Sequence, residues 1–420
     1  MRGSGRLMHA WAFHGWRVVA ACFVIASVTW SLGLFGASVY LQAVTAEHGW
    51  AISTVASAIT VFYLTSAALQ RTVAAQIERR GPRPVLTIGA LCMCCGVALI
   101  GQVSHPWQLY GCFVFVGIGW ATLSTTGLSA TVAPWFERHQ GRSMTLAIMG
   151  ASIGAMLGVP ALLHAVGTLG LSRGLAAAAL MAALILLPLI LYVLRFRGPE
   201  QLGLERDGGL PADETVSSKA AILPVAASGR PHILLWTAAS GFALGLMMQI
   251  GFATHHVALA MPLMSTRDAG LLVSATGLTA FIGRLVLARI VDHVPVRILA
   301  AAAMVVQSLA LLAIALWPTV QVLIVASLFY GYCVGHVTTL GPVVVRREFG
   351  AQAFARTYGS AATLIQFTSA MGPAVYGFMR DGFGGYGPGM IIAAAVTMLG
   401  ALSMVAGSRW GLRAKRPRST

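Results

Sequence analysis

The stretch Gln70–Arg83 reads QRTVAAQIERRGPR, and a related stretch, Gly283–Arg297, reads GRLVLARIVDHVPVR. Each carries an arginine inside an apolar run, then an acid seven or eight residues later, then a basic residue five positions beyond the acid. The two acids, Glu78 and Asp292, are 214 residues apart, about half of the 420-residue chain. The repeat predicts two homologous halves. Paired halves related by an axis along the membrane normal are typical of transporters.

The composition requires a bilayer as the solvent. The chain is 57% hydrophobic and only 10% charged, whereas soluble domains are ~25% charged, so its charges are too few to cover a soluble surface. The length fits about twelve spans of ~20 residues, and lipid requires them to be helices, because it cannot satisfy open backbone groups. The predicted spans 1 to 12 fall near 16–40, 50–71, 84–104, 107–132, 143–166, 172–194, 232–256, 268–290, 297–316, 319–345, 357–379 and 388–408.

The placement of the charges sets the orientation. The net charge is +16, but the basic residues lie at span ends rather than on one face, so we expect no nucleic-acid partner. With the N-terminus in the cytoplasm, 23 of the 28 Lys and Arg residues fall in cytoplasmic segments and three on the opposite side. This bias is typical of a correct topology. An even span number then predicts two cytoplasmic termini in a multi-pass protein of the cell (inner) membrane.

One long polar connection divides the spans into six and six. It contains Glu200, Glu205 and Asp207 together with Gly, Pro and Ser, a composition typical of a flexible linker. The predicted organisation is an N-terminal six-helix bundle over 1–196, a cytoplasmic linker over 197–231, and a C-terminal six-helix bundle with a short basic tail over 232–420.

Two motifs carry a family resemblance. Glu78-Arg79-Arg80-Gly81-Pro82-Arg83 matches the acid-Arg-x-Gly-x-Arg loop between spans 2 and 3 of the major facilitator superfamily, although Ala74 replaces a usual Gly. Trp135-Phe136-Glu137-Arg138 and Glu348-Phe349-Gly350 are similar to the monocarboxylate transporter and oxalate:formate antiporter group. The resemblance implies the major facilitator fold, twelve transmembrane helices in two pseudo-symmetric bundles, and secondary transport of a small organic anion by alternating access.

Arg284 is the main candidate for a substrate-binding residue. It lies eight residues before Asp292, so about 12 Å above the cytoplasmic boundary, where a charge usually marks a pathway or a partner. No Asp or Glu lies in the interior of a predicted span, and a guanidinium binds a carboxylate bidentately. In the resembled group, an arginine of span 8 binds substrate, and Arg284 falls at that position. The alternative is an arginine that snorkels to the surface.

Other residues are weaker candidates for the binding cavity. Arg71 is the counterpart of Arg284 in the first half, but it could equally snorkel and pair with Glu78. Polar side chains at mid-span depth complete the candidate set, and each is more often a helix–helix contact than a ligand: Tyr63, Thr122, Thr125, Tyr330 and Gln366. Span 11 lacks the second cation of the antiporters, which favours a monoanion.

Histidines are the expected proton carriers, because only their unperturbed pKa lies near neutrality. His336 in span 10 is at a depth similar to Arg284, and His255 and His256 lie at the outer end of span 7. Packing or interfacial roles are the alternative for all three. The resembled carriers often use a Lys in span 1 and an Asp in span 8, and neither is present here.

Charged residues at the cytoplasmic ends form a predicted latch that stabilises the outward-open state: Glu78, Arg79, Arg83, Asp292 and Arg297. The alternative is a topology signal alone. The six cysteines lie in apolar runs without His or acidic neighbours, so we predict no metal site. No phosphate-cradling loop is present, so we predict no nucleotide cofactor.

Two other functions compete with anion transport. An exporter of a drug or hydrophobic metabolite would keep the fold, but such proteins often carry a buried acid for cations. A membrane enzyme would need a nucleophile–base pair or a metal cluster, and a sensor would usually append a soluble domain. We therefore predict a monomeric, non-enzymatic transporter whose partners are the bilayer, a small organic anion and a proton.

Overall fold

The computed structural model describes residues 13–209, 231–291 and 293–413, without side chains at 208, 209, 231, 350–358, 360 and 408–413. All regular structure in these ranges is helical, which confirms the predicted all-α class. The chain divides into two compact units. The first contains Met1–Trp50 and Val61–Ser218, and the second contains Ala51–Thr60 and Lys219–Thr420.

The N-terminal half of the chain forms helices α1 to α8. Their bounds are α1 His14–Leu32, α2 Gly36–His48, α3 Ile52–Arg80, α4 Pro82–Ile100, α5 Pro106–Leu123, α6 Thr125–Val132, α7 Gln140–Ile153 and α8 Val159–Pro188. A π-helical turn, Gly154–Gly158, joins α7 to α8. In the first unit α4 packs on α5 and α8, and α1 packs on α7.

The C-terminal half forms helices α9 to α14. Their bounds are α9 Pro231–Ala260, α10 Thr266–Ile290, α11 Val296–Leu316, α12 Val320–Ala370, α13 Gly372–Phe383 and α14 Tyr386–Arg413. In the second unit α12 packs on α9, α10 and α11, and α14 packs on α9 and α11.

Ten helical stretches of the described chain are long and apolar enough to cross a membrane. One of them, Gln140–Val193, has 54 residues, and Gly170 interrupts it with a left-handed φ of 81°, so it accommodates spans 5 and 6. Within the 51-residue α12, Val345 and Ala361 belong to one apolar cluster although they lie in the segments predicted as different spans. The structure is therefore consistent with the twelve predicted spans.

Apolar side chains on the outer surface of the units fit a lipid environment. On α8, Leu180 and Leu184 are each 61% exposed, and on α12 Phe329 is 58% exposed. A soluble protein rarely exposes apolar surface on this scale. In a bilayer these side chains contact hydrocarbon, so their exposure carries no hydrophobic free-energy cost.

The start of the predicted linker is fixed to the first unit. The Asp207 carboxylate is buried and accepts backbone N–H bonds from Glu137 at 3.0 Å, Arg138 at 2.9 Å and His139 at 3.2 Å. Arg197 donates to the carbonyl of Arg80 at 2.9 Å, at the end of α3. These bonds fix the start of the linker to the loop before α7 and to the end of α3.

Candidate functional site

Arg284 lies at a close approach of α10 and α12. A Cβ added at Gly335 of α12 would be 3.0 Å from both Cγ and the backbone N of Arg284. Because Gly335 has no side chain, the stem of Arg284 can lie directly against the α12 backbone. The guanidinium-bearing residue is half-buried, about 9 Å from the end of α10 at Ile290. A residue at this distance from the end of a span would lie within the ~30 Å hydrocarbon thickness of a bilayer.

His336 lies on the facing surface of α12. It is buried, and its Nδ1 is 3.0 Å from the Tyr332 carbonyl, so the neutral ring donates from Nδ1 and presents Nε2 as an acceptor. Its Cε1 would be 3.4 Å from a Cβ added at Gly283, the residue before Arg284. The structure therefore brings two predicted site residues, Arg284 and His336, to one helix–helix interface.

Tyr330 belongs to an aromatic cluster of the second unit, further along α12 toward the predicted outer side. Its ring centroid is 4.3 Å from that of Phe252 on α9. Its hydroxyl is buried without a hydrogen-bond partner among the described residues. A buried hydroxyl without a partner costs roughly 1–3 kcal/mol, so a ligand or a water would stabilise this position.

His255 and His256 are fully buried in α9, not exposed at an interface. His255 Nε2 is 3.0 Å from the Pro373 carbonyl, and its Nδ1 is 3.0 Å from the Tyr386 hydroxyl. His256 Nε2 is 3.0 Å from Ser327 Oγ on α12. Each ring thus connects α9 to a neighbouring helix within the second unit.

The remaining cavity candidates differ in exposure. Tyr63 is buried in α3 beside Phe62, and Gln366 is exposed on α12. Thr122 donates to the Gly119 carbonyl at 2.8 Å and fills the space beside Gly89 of α4, which favours a packing role. Thr125 is exposed at the start of α6, just after a helix break at Ser124.

The predicted latch residues of the first unit lie on its surface. Glu78, Arg79 and Arg83 are all exposed, and so is Arg71, a predicted cavity residue. Gly81, between α3 and α4, has a left-handed φ of 85°, which only glycine adopts readily. The motif therefore shapes a tight turn between two spans, whatever else its charges do.

Arg297 is buried in the second unit. Its guanidinium forms an ion pair with Glu348 of α12 through Nε and Oε1, and Nη2 donates to Glu348 Oε2 at 2.7 Å. Nη2 also donates to the Leu234 carbonyl, and Nη1 to Thr237 Oγ1 at 3.1 Å. This side chain links α11, α12 and α9. Asp292, the predicted acid of the same motif, lies outside the described residues.

Some arrangements were absent from the sequence prediction. Gly331 and Gly335 in α12 face α10; their spacing of four residues is a visible signal for close helix packing. Gly154 and Gly158 pack on Ser27 and Ser31 of α1 within the first unit. These glycines therefore allow α1 to pack tightly within the first unit.

Comparisons with known proteins converge on one family. A sequence profile described as Major Facilitator Superfamily matches residues 19–267. Human monocarboxylate transporter 11 is 27% identical over 410 residues, covering 92% of this chain and 81% of that protein. The multidrug resistance protein MdtH of Shigella dysenteriae is 32% identical over 116 residues, covering 27% of this chain and 29% of MdtH.

Solved structures share the fold at low identity. A bacterial homologue of the human lysosomal transporter Spinster, inward-facing and unoccupied, matches with a TM-score of 0.69 at 14% identity, over 97% of this chain and 99% of that chain. The occupied inward-facing form of such a homologue matches with a TM-score of 0.64 at 13% identity, over 96% and 98% of the two chains.

Proposed function

Because this chain belongs to the Major Facilitator Superfamily, we propose that it is a secondary active transporter of a small organic anion. A monocarboxylate is the favoured substrate, carried in symport with a proton across the cell membrane by alternating access of two six-helix halves. The observation that supports this most is the position of Arg284, which α12 holds at membrane depth beside His336.

The charge of the site favours an anion. A guanidinium at this depth attracts a carboxylate and holds it with two parallel hydrogen bonds. All twelve acids of the sequence lie at or beyond the ends of the predicted spans, so the spans provide little to hold a cation. The similarity to monocarboxylate transporter 11 over most of both chains supports the same substrate class.

A proton is the proposed co-substrate. An inside-negative potential opposes entry of a lone anion by ~2.3 kcal/mol per charge per 100 mV. A monocarboxylate that enters with one proton carries no net charge and avoids this cost. His336 is one proposed site for that proton, since its Nε2 acceptor lies at the interface that carries Arg284.

The remaining predicted residues keep their proposed roles. Arg71, Tyr63, Thr122, Thr125, Tyr330 and Gln366 are proposed to line the cavity. Glu78, Arg79, Arg83 and Arg297, with Asp292, are proposed to stabilise one side of the transport cycle. For Arg297 that role would act through its bonds to Glu348.

Uptake into liposomes tests the proposal. Purified protein is reconstituted, and labelled lactate-like monocarboxylates are offered with an inward proton gradient, with dicarboxylates and cationic dyes as competitors. We expect uptake of monocarboxylates that rises with the gradient and is not reduced by the dyes. Uptake of dyes without uptake of acids would contradict the proposal.

A second candidate is export of a drug or hydrophobic metabolite. The local similarity to MdtH over 116 residues favours it, and the dye arm of the same experiment separates the two functions.

A further inference from the structure

The first turns of α3 are attached to α13 by a set of contacts that we name the α3–α13 attachment: Ala51–Thr60 packed on Gly372–Phe383. Both segments belong to the second unit. The Ser53 N–H donates to Asp381 Oδ2 at 2.7 Å, and the Ala374 N–H donates to Thr60 Oγ1 at 3.0 Å. Between these bonds, Gly377 leaves no room for a side chain, because an added Cβ would lie 2.8 Å from Ala56 Cβ.

His255 bonds to one end of this attachment and to Tyr386, just beyond its other end. Its Nε2 bonds to the carbonyl of Pro373, the residue before Ala374. Its Nδ1 bonds to Tyr386, whose hydroxyl lies within electrostatic range of Arg380 and Asp381. Arg380 Nη1 donates to Asp381 Oδ1 at 2.9 Å. The imidazole therefore bonds directly to Tyr386, and Tyr386 interacts electrostatically with the carboxylate that holds Ser53.

Protonation of His255 changes which partner donates in its hydrogen bond to Tyr386. The Pro373 carbonyl only accepts, so Nε2 must carry a proton, and Nδ1 of the neutral ring must accept from the Tyr386 O–H. A second proton converts Nδ1 into a donor. Tyr386 must then turn its O–H away from the ring, and the negative charge that acts on this hydroxyl is the Asp381 carboxylate. The positive charge of the imidazolium would also repel Arg380, whose guanidinium pairs with the Asp381 carboxylate.

The surroundings of His255 hold few other titratable groups. Tyr376 on α13 stacks on its ring with centroids 5.7 Å apart, and Tyr386 approaches from α14. Arg380 and Asp381 are the charges that act on it, and His256 is its neighbour in α9. On α12, Tyr330 lies against Phe252 rather than His255.

We propose that His255 is a proton-binding site whose protonation weakens the α3–α13 attachment through Tyr386 and Asp381. The inference rests on the proposed function only for the idea that a proton is carried with the substrate. The carried proton would weaken the α3–α13 attachment while it is bound to His255. Binding at His255 loosens the outer end of α3, the helix whose remaining residues, from Val61 onward, belong to the first unit.

Hydrogen–deuterium exchange of the full chain in lipid nanodiscs tests this. Exchange of peptides that contain Ser53 and Ala374 is measured from about pH 8 down to about pH 4, because full burial of the His255 ring disfavours its charged form, and it is corrected for intrinsic exchange rates. We expect protection to fall roughly tenfold or more at the lower pH, equivalent to ~1.4 kcal/mol.

Three variants make the test specific. His255→Gln keeps a donor for Pro373 and an acceptor for Tyr386 but cannot be protonated, and Tyr386→Phe removes the connecting hydroxyl; both should lose the pH response. His256→Gln is the matched control and should keep it. A wild-type pH response in either of the first two variants, or none in the wild type, would overturn the inference.

Uptake measurements separate this inference from the proposed function. Proton-driven monocarboxylate uptake with an unchanged pH response in His255→Gln would overturn the inference and leave the function standing. A His255-dependent loosening in a protein that transports no monocarboxylate would support the inference and contradict the function.

Discussion

Substitution of Gly335 by alanine tests whether α12 holds Arg284 in place. The added Cβ would lie 3.0 Å from Cγ and from the backbone N of Arg284, and closer still to the Ala280 carbonyl of α10. Two of these three contacts are with backbone, which cannot rotate away. Overpacking of this kind typically costs ~1–3 kcal/mol.

Gly341→Ala is the matched control in the same helix. Its added Cβ would meet only Phe242 at 4.0 Å, an ordinary contact. Both variants gain the same helix propensity, up to ~1 kcal/mol, so the difference between them isolates the overpacking. We expect Gly335→Ala to be less stable than Gly341→Ala by ~1–3 kcal/mol.

The assay is unfolding in mixed micelles with increasing denaturing detergent, followed by helical circular dichroism. Anion affinity is measured on the same preparations, and we expect Gly335→Ala to weaken it while Gly341→Ala leaves it unchanged. Equal stability and equal anion affinity in the two variants would show that the α10–α12 approach does not position Arg284.

Three further predictions follow from buried polar groups. Burial alone would raise the pKa of Asp207, but the N–H bonds from Arg138, Glu137 and His139 and the charge of His139 outweigh it and hold the pKa below its usual 3.8. The ionised carboxylate therefore stabilises the first unit above about pH 4, and this contribution is lost as the pH falls through the lower, folded-state value. Asp207→Asn should remove it, and proteolysis of the linker start in both proteins across that range measures the loss. Arg297→Gln breaks a buried pair and should cost about 3–5 kcal/mol, whereas Arg346→Gln, at an exposed neighbouring position, should cost almost nothing in the same unfolding assay. Tyr330→Phe removes a hydroxyl with no partner among the described residues, so it should leave unfolding stability unchanged or raised by ~1 kcal/mol; a fall in stability would mean that the hydroxyl is satisfied.

Much of the fold followed from the sequence because a bilayer permits few structures. Apolar runs near twenty residues had to be helices, and the placement of Arg and Lys at their ends predicted an orientation in the membrane. Local departures could not be predicted in the same way. Gly33–Phe35 separates α1 from α2 within one span, and α12 stays helical through the predicted loop after Arg346. Such details depend on neighbouring helices rather than on hydropathy.

Some residues of the candidate site could also be predicted from the sequence, because polar side chains stand out in apolar runs. A lone charge inside an apolar run is visible in any sequence, so Arg284 and His336 were found, and the structure places them at one interface. The partners of Asp207, Arg297 and Asp381 lie 51 to 328 residues away along the chain. No local pattern marks these pairs, so only the folded structure identifies them.

Binding of a monocarboxylate to the Arg284→Ala variant tests the central proposal most directly. Loss of a charge-assisted bidentate contact worth about 3 kcal/mol corresponds to roughly 100-fold weaker affinity, measured by titration calorimetry on the purified protein. Arg346→Ala, at an exposed position without a proposed binding role, is the control, and comparable unfolding midpoints establish that both variants are folded. We predict that Arg284→Ala loses anion binding and anion uptake. Wild-type affinity and uptake in that variant would contradict the assignment of Arg284 as the substrate-binding residue.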